Sequence, residues 1–250
     1  MMSLTSVRLT DVVKKQYLYK MKAYSQVFMS LIFIQLLAVL FSMNGVGGMG
    51  SSDGNMQIEI KYFSAVLVVV FTMLWGFITA IIITTKAYRN DDFVFVTNRT
   101  SSNLSNIVFL LTASIIGGIT SMLSTYLIKV IVYYFFSDVS LKSTSVLAAP
   151  NEFFLGSFST SLYIFLFCAL GYLFGTLVQI NKAFAVLIPA AFFGGLIIDG
   201  LRGNEGVIAK GFNFFFMEPS LTVFIIKVIV TAGLLISGTF ALSNRMEVRS

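Results

Sequence analysis

The chain has no histidine, one cysteine and three prolines in 250 residues, and only 11% of its side chains carry charge. Each scarcity excludes something. Without histidine, and with Cys168 as the lone thiol, the usual ligand sets of zinc, haem and iron–sulfur centres are missing, and no internal disulfide can form. No G-x-x-x-x-G-K-[ST] loop occurs, so the chain does not hydrolyse ATP by that route. Neither an H-E-x-x-H motif nor a pair of aspartates lies within an apolar run, which argues against an intramembrane protease. What the chain has in quantity is apolar surface: 57% of its residues are hydrophobic, a composition that no ordinary soluble domain carries.

That apolar content is gathered into six runs, at about residues 24–43, 62–85, 107–136, 153–178, 183–198 and 221–242. Each approaches or exceeds the roughly 20 residues that cross a bilayer core, so the sequence predicts an all-α polytopic membrane protein with six transmembrane helices in one domain. The first run is longer than a signal-peptide core and lacks a small-residue cleavage site, so it is expected to be retained. The third run is too long for a perpendicular crossing, and Gly117-Gly118 offers a place to bend. The fifth is short and holds Pro189 and Gly194-Gly195, so it is expected to break before crossing fully.

Orientation follows from lysine and arginine placement. One side of this arrangement carries Arg8, Lys14, Lys15, Lys20, Lys22, Lys86, Arg89, Arg99, Lys182, Arg245 and Arg249. The other carries only Lys61, Lys142, Arg202 and Lys210. The positive-inside rule then puts both termini in the cytoplasm of a multi-pass protein of the cell membrane. The net charge of +6 is thereby explained by anionic lipid head groups, with no need for nucleic acid.

Within the six runs the only side chains charged at neutral pH are Lys129 and Lys227; there is no carboxylate. Coupling to protons or sodium normally requires acidic or histidine groups at depth, because buried ionisable groups are costly and persist mainly for function. The driving force is therefore expected on another chain. Both lysines lie near the same side of the membrane, where their stems can snorkel to head groups or their charges can line an outward-opening path.

Three further segments invite mechanism. In residues 6–23, Leu9, Val12, Val13, Tyr17 and Met21 share one helical sector and Arg8, Asp11, Lys15 and Lys22 the opposite one, with Lys20 misplaced on the apolar side. This suits an amphipathic helix lying in the head-group plane, or a topology signal with a partly ordered tail. The loop at 86–106 mixes Arg89, Asp91, Asp92 and Arg99 with apolar Phe93 and Phe95, either a docking knob or phenylalanines dipping into the bilayer interface. Residues 190–220 alternate apolar pieces with glycines and a few charges, as a re-entrant hairpin or an external loop with an aromatic belt would. Gly171 and Gly175 form a small-xxx-small face suited to close helix approach.

Six spans, an amphipathic amino-terminal helix, a charged and aromatic loop after span two (with DDFVFVTNRTSSNLSN its nearest likeness in sequence) and a broken segment before span six together resemble the ABC-2 type permeases of bacterial ABC exporters. The resemblance covers essentially the whole chain but rests on architecture rather than on an invariant motif. It implies two permeases, identical or related, enclosing a path and binding separate cytoplasmic ATPase subunits that hold ATP and magnesium. Arg89, Asp91, Asp92, Phe93, Phe95 and Arg99 would then form the ATPase-coupling loop. The cargo would be a hydrophobic peptide, an antibiotic or a lipid-like molecule. A non-transporting immunity or scaffold protein and an ion-coupled secondary carrier are the alternatives.

Overall fold

The computed structural model describes residues 8–43, 47–53, 56–62, 64–88, 98–135, 150–201 and 206–245. Helices dominate: α1 (Leu9–Ala23), α2 (Ser25–Ser42), α3 (Val66–Thr84), α4 (Arg99–Phe135), α5 (Pro150–Ile180), α6 (Phe184–Leu201), α7 (Val207–Phe216) and α8 (Leu221–Arg245). Between α2 and α3 the backbone forms one antiparallel hairpin, β1 (Gly47–Asp53) with β2 (Met56–Tyr62), in which Gly47 pairs with Tyr62 and Asp53 with Met56. Six of the helices, α2, α3, α4, α5, α6 and α8, are long and apolar enough to cross a membrane, making this an all-α polytopic membrane protein with one small hairpin.

Helix bounds depart from the apolar runs where polar residues join a helix or apolar ones leave it. The second span starts at Val66 because Tyr62 closes the hairpin. The third begins at Arg99, eight residues ahead of its apolar run, and takes in the polar stretch RTSSNLSN. Ser101 organises that start: its hydroxyl accepts from the Asn98 amide at 3.2 Å and donates to the Asn98 carbonyl at 2.7 Å. At 37 residues α4 reaches about 55 Å along its axis. The expected break in span five does not occur. α6 runs through Pro189 and Gly194-Gly195 to Leu201, about 27 Å, because a proline this near the start forfeits one helical hydrogen bond.

Packing divides the chain into two compact units, each with its own contacts. One draws on residues 17–77 and 107–167. Its core holds Ala38, Val39, Ala65, Val68, Ile128 and Val132, with a second cluster of Leu31, Trp75 and Ala113. The glycine pair of α4 lies here and serves packing. A Cβ on Gly117 would meet Thr72 Cγ2 of α3 at 3.1 Å, and one on Gly118 would come 2.8 Å from the backbone nitrogen of Ser161 on α5. Gly118 lets α4 and α5 approach to backbone distance, and Gly117 makes room for the Thr72 side chain.

The other unit draws on residues 1–16, 78–106 and 168–250. Here a Cβ on Gly175 of α5 would lie 3.1 Å from the Ile81 Cα of α3, and one on Gly195 of α6 would lie 2.6 Å from Ile208 Cδ1 of α7. α6 and α7 contain no buried residue, and their large apolar side chains, among them Phe193, Ile197 and Leu201, face outward. Burial of an apolar helix normally needs a covering layer, which lipid supplies for a spanning segment.

Helix α1 turns Val13, Gln16 and Lys20 inward, each less than a tenth exposed, as is Tyr24 just after it, while Asp11, Lys14, Lys15 and Lys22, and Arg8 just before it, are exposed. Its apolar sector thus packs on protein, and Lys20, the residue that spoils the amphipathic pattern, is buried with that sector. Tyr17 adds a hydroxyl contact to Thr112 of α4 at 3.2 Å.

Candidate functional site

Of the six side chains expected in a coupling loop, Arg89, Asp91, Asp92, Phe93 and Phe95 lie outside the described residues; Arg99 lies inside them, as the first residue of α4. Its guanidinium donates through Nη1 to the carbonyl of Ser243 at 2.9 Å. That carbonyl belongs to the last described turn of α8, where a cation is favoured by the helix dipole.

One turn further along α4, buried Asn103 and Asn106 meet buried Tyr172 of α5. The Tyr172 hydroxyl donates to Asn103 Oδ1 at 2.9 Å and accepts from Asn106 Nδ2 at 3.2 Å. The Asn103 Nδ2 has no hydrogen-bond partner. Tyr172 follows Gly171, which is buried, and precedes Gly175, whose bare Cα admits α3. This end of the unit is therefore fastened by side-chain hydrogen bonds and a close helix approach rather than by bulk apolar packing.

The segment after α6 is a helical reversal held by three ionisable residues. Asp199, near the carboxyl end of α6, accepts through Oδ2 from the amides of Ile208 at 2.7 Å and Ala209 at 3.0 Å, the second and third residues of α7. A carboxylate is unfavourable at the end of its own helix, and here its charge is used at the amino terminus of the next, where orphan amides want an acceptor. Buried Gly206 sits directly against that carboxyl group, and any Cβ there would collide with it.

At the other end of α7, Lys227 of α8 reaches back. Its ammonium donates to the carbonyl of Phe214 at 3.1 Å, lies 3.9 Å from the centre of the Phe214 ring, and forms an ion pair with Glu218, both partners being partly buried. The Lys227 hydrogen bond holds the Glu218 carboxyl below the ordinary carboxylate range; desolvation opposes it, and the Ser220 amide and the Lys227 charge add smaller pulls in the same direction as the bond. The charge that Lys227 would offer to a path or a head group is thus already matched inside the protein. Lys129, the other lysine within a span, is half-buried and stands 5.3 Å from the ring of Tyr126 on its own helix.

A further polar cluster lies within the spans of the first unit. Gln35 Nε2 is 2.9 Å from Thr120 Oγ1, 3.2 Å from both Thr72 Oγ1 and Ser121 Oγ, and 3.5 Å from the Gly117 carbonyl. Ser121 in turn donates to Thr72 at 3.0 Å. Thr72 and Thr120 donate to carbonyls of their own helices, which leaves their lone pairs to accept from the amide. The cluster joins α2, α3 and α4 with neutral groups only.

Among the described residues no group of three or more His, Cys, Asp or Glu side chains could hold a metal ion. Sequence reasoning overlooked Gln35, Asp199 and Glu218. An amide inside an apolar run and a glutamate nine residues before an intramembrane lysine were the available signals. No protein-family model matches this chain, and neither a curated protein nor a solved structure is significantly similar to it.

Proposed function

We propose that the chain is the permease subunit of an ATP-driven exporter of the ABC-2 type. In this reading it forms a translocation path with a second permease in the cell membrane, with both termini cytoplasmic. Separate cytoplasmic ATPases, holding ATP and magnesium, dock on the loop containing Arg89, Asp91, Asp92, Phe93 and Phe95 and deliver the work. The observation that carries the reading is the chemistry of the spans. The carboxylates that the spanning helices include, Glu152 and Asp199, stand within the first or last three residues of α5 and α6, and Asp199 is committed to the amides of α7. Away from the helix ends, the buried polar side chains of the described spans include the hydroxyls and amides of Gln35, Thr72 and Ser121, none of which titrates near neutral pH, and the charges there are the two partly buried lysines, Lys129 and Lys227. Among the described residues no carboxylate or histidine stands deep within a span, which favours a drive delivered at the surface over proton coupling. Its many phenylalanine and methionine side chains favour a hydrophobic peptide or lipid-like cargo.

The decisive experiment is affinity purification from the native membrane, in the wild type and with Phe93 and Phe95 both changed to Asp. A nucleotide-hydrolysing subunit should copurify with the wild type and be lost from the variant. Retention of that subunit by the variant would refute the coupling-loop assignment. Accumulation of a substrate against its gradient by the chain alone in ATP-free liposomes would refute the whole reading in favour of an ion-coupled carrier.

A further inference from the structure

We propose that α8 is a sliding link between the start of α4 and the α6–α7 hairpin, with Arg99 and Lys227 as the positioning residues that fasten its two ends. At each end a cation is bound to the exposed carbonyls of a helix terminus. Arg99 of α4 holds the carbonyl of Ser243 in the last turn of α8. Lys227, in the second turn of α8, holds the carbonyl of Phe214 in the last turn of α7 and is braced by Glu218. Such bonds are charge-assisted, and each falls on a carbonyl in the last described turn of its helix. Between Lys227 and Ser243 the helix is continuous and free of proline, spanning about 24 Å at 1.5 Å per residue.

The sides of α8 are loosely held. Phe224, Val228, Ala232 and Thr239 form one narrow buried stripe, whereas Ile229, Val230 and Leu234 are more than half exposed. Gly233 has no atom within 4 Å of the place a Cβ would occupy, and Gly238 makes only ordinary contact with Leu173. A helix hooked at both ends and lightly packed along its length moves along its axis as a unit, since its internal hydrogen bonds resist stretching more than its flank resists sliding. A shift of the Arg99 end is then delivered to α7. Beyond Lys227, the hairpin is closed by Asp199 on the first amides of α7, so the movement is passed to α6 rather than absorbed. That such a shift originates in an ATPase seated on residues 89–97 rests on the function proposed above; the link itself does not.

Hydrogen exchange on the purified protein in lipid nanodiscs tests the link without any partner. Arg99→Ala should raise exchange several-fold in residues 240–245 and also in 206–217, and Arg99→Lys should restore much of the protection at both places. The reciprocal change, Lys227→Met, should raise exchange in 206–217 and in 240–245. If each variant alters only its own end, α8 is not a link and the proposal is overturned. Should Arg99→Ala fail to fold, Arg99→Gln, which keeps an amide donor, gives the same reading by a smaller change. With a copurified ATPase, nucleotide binding should shift exchange in 206–217 in the wild type but not in Arg99→Ala; an equal response in both overturns the proposal. Failure to find any ATPase counts against the proposed function and leaves the partner-free comparison intact.

Discussion

Gly118 lies so close to Ser161 that a Cβ on the glycine would stand 2.8 Å from the serine backbone nitrogen and 3.0 Å from the Ser157 carbonyl. Two helix backbones therefore meet at this point with nothing between them. A new methyl group would strike the Ser161 hydroxyl first and, behind it, these two main-chain atoms, which cannot swing aside as a side chain can. Gly118→Ala should destabilise the protein by about 1–3 kcal/mol, the usual cost of overpacking a filled interior, and Gly118→Leu should abolish the native fold. Gly194→Ala is the control, because a Cβ at Gly194 meets nothing within 4 Å. Thermal unfolding in detergent micelles should show a lower midpoint for the first substitution and no loss for the last.

Gln35 should matter more than its position in an otherwise apolar helix suggests. Its amide lies within reach of hydroxyls on two other helices, and Gln35→Leu removes the donor that draws them together. Interhelical hydrogen bonds inside membranes are worth about 0.6–2 kcal/mol, and the loss should fall in that range. Thr120→Val made on top of Gln35→Leu should cost less than it does in the wild type, because the bond it would break is already gone. A strictly additive pair, measured by reversible unfolding in mixed micelles, would show that the cluster is not a working unit.

The Glu218–Lys227 pair should give stability a definite acid dependence. Because the folded protein holds the Glu218 carboxyl below its ordinary range, its stabilisation is complete above the unfolded-state value of about 4.3 and is lost as pH falls through the lowered folded value. Glu218→Gln should thus be less stable than the wild type at neutral pH, and the two should converge in acid. Unfolding midpoints of both proteins between neutral pH and strongly acidic pH check this. A difference that grows as pH falls would have the wrong sign and would exclude the pair as its source.

How far the sequence discloses this molecule depends on the distance over which each residue acts. The spans are legible because apolar runs are a local property, and all six were placed within a few residues except where α4 begins. There, Ser101, Asn103, Ser105 and Asn106 are buried although polar. Their burial is made possible in part by Tyr172, whose hydroxyl answers Asn103 and Asn106 from across the unit and leaves no trace in the local pattern.

The same limit governs the candidate site. Gly117-Gly118 reads as a hinge in isolation, since glycines loosen a helix; only the positions of Thr72 and Ser161 turn it into a seat. Lys227 reads as a charge seeking water until Glu218, nine residues earlier, is found beside it. Lys20 looks like a flaw in an amphipathic wheel, yet the helix presents that side to the protein. Asp199 falls just beyond the fifth apolar run, which ends at about residue 198, whereas the helix continues past it and brings its carboxylate to the amides of α7.

The glycine pair of α4 has a mechanical corollary. Set against the Thr72 side chain of α3 at Gly117 and against the backbone of α5 at Gly118, the middle of α4 has little freedom to roll about its own axis, because a turn would drive a larger side chain into Thr72 or into the main chain of α5. The three helices must travel together there, like strands glued at a single knot, and whatever flexing the protein undergoes is pushed outward toward their ends.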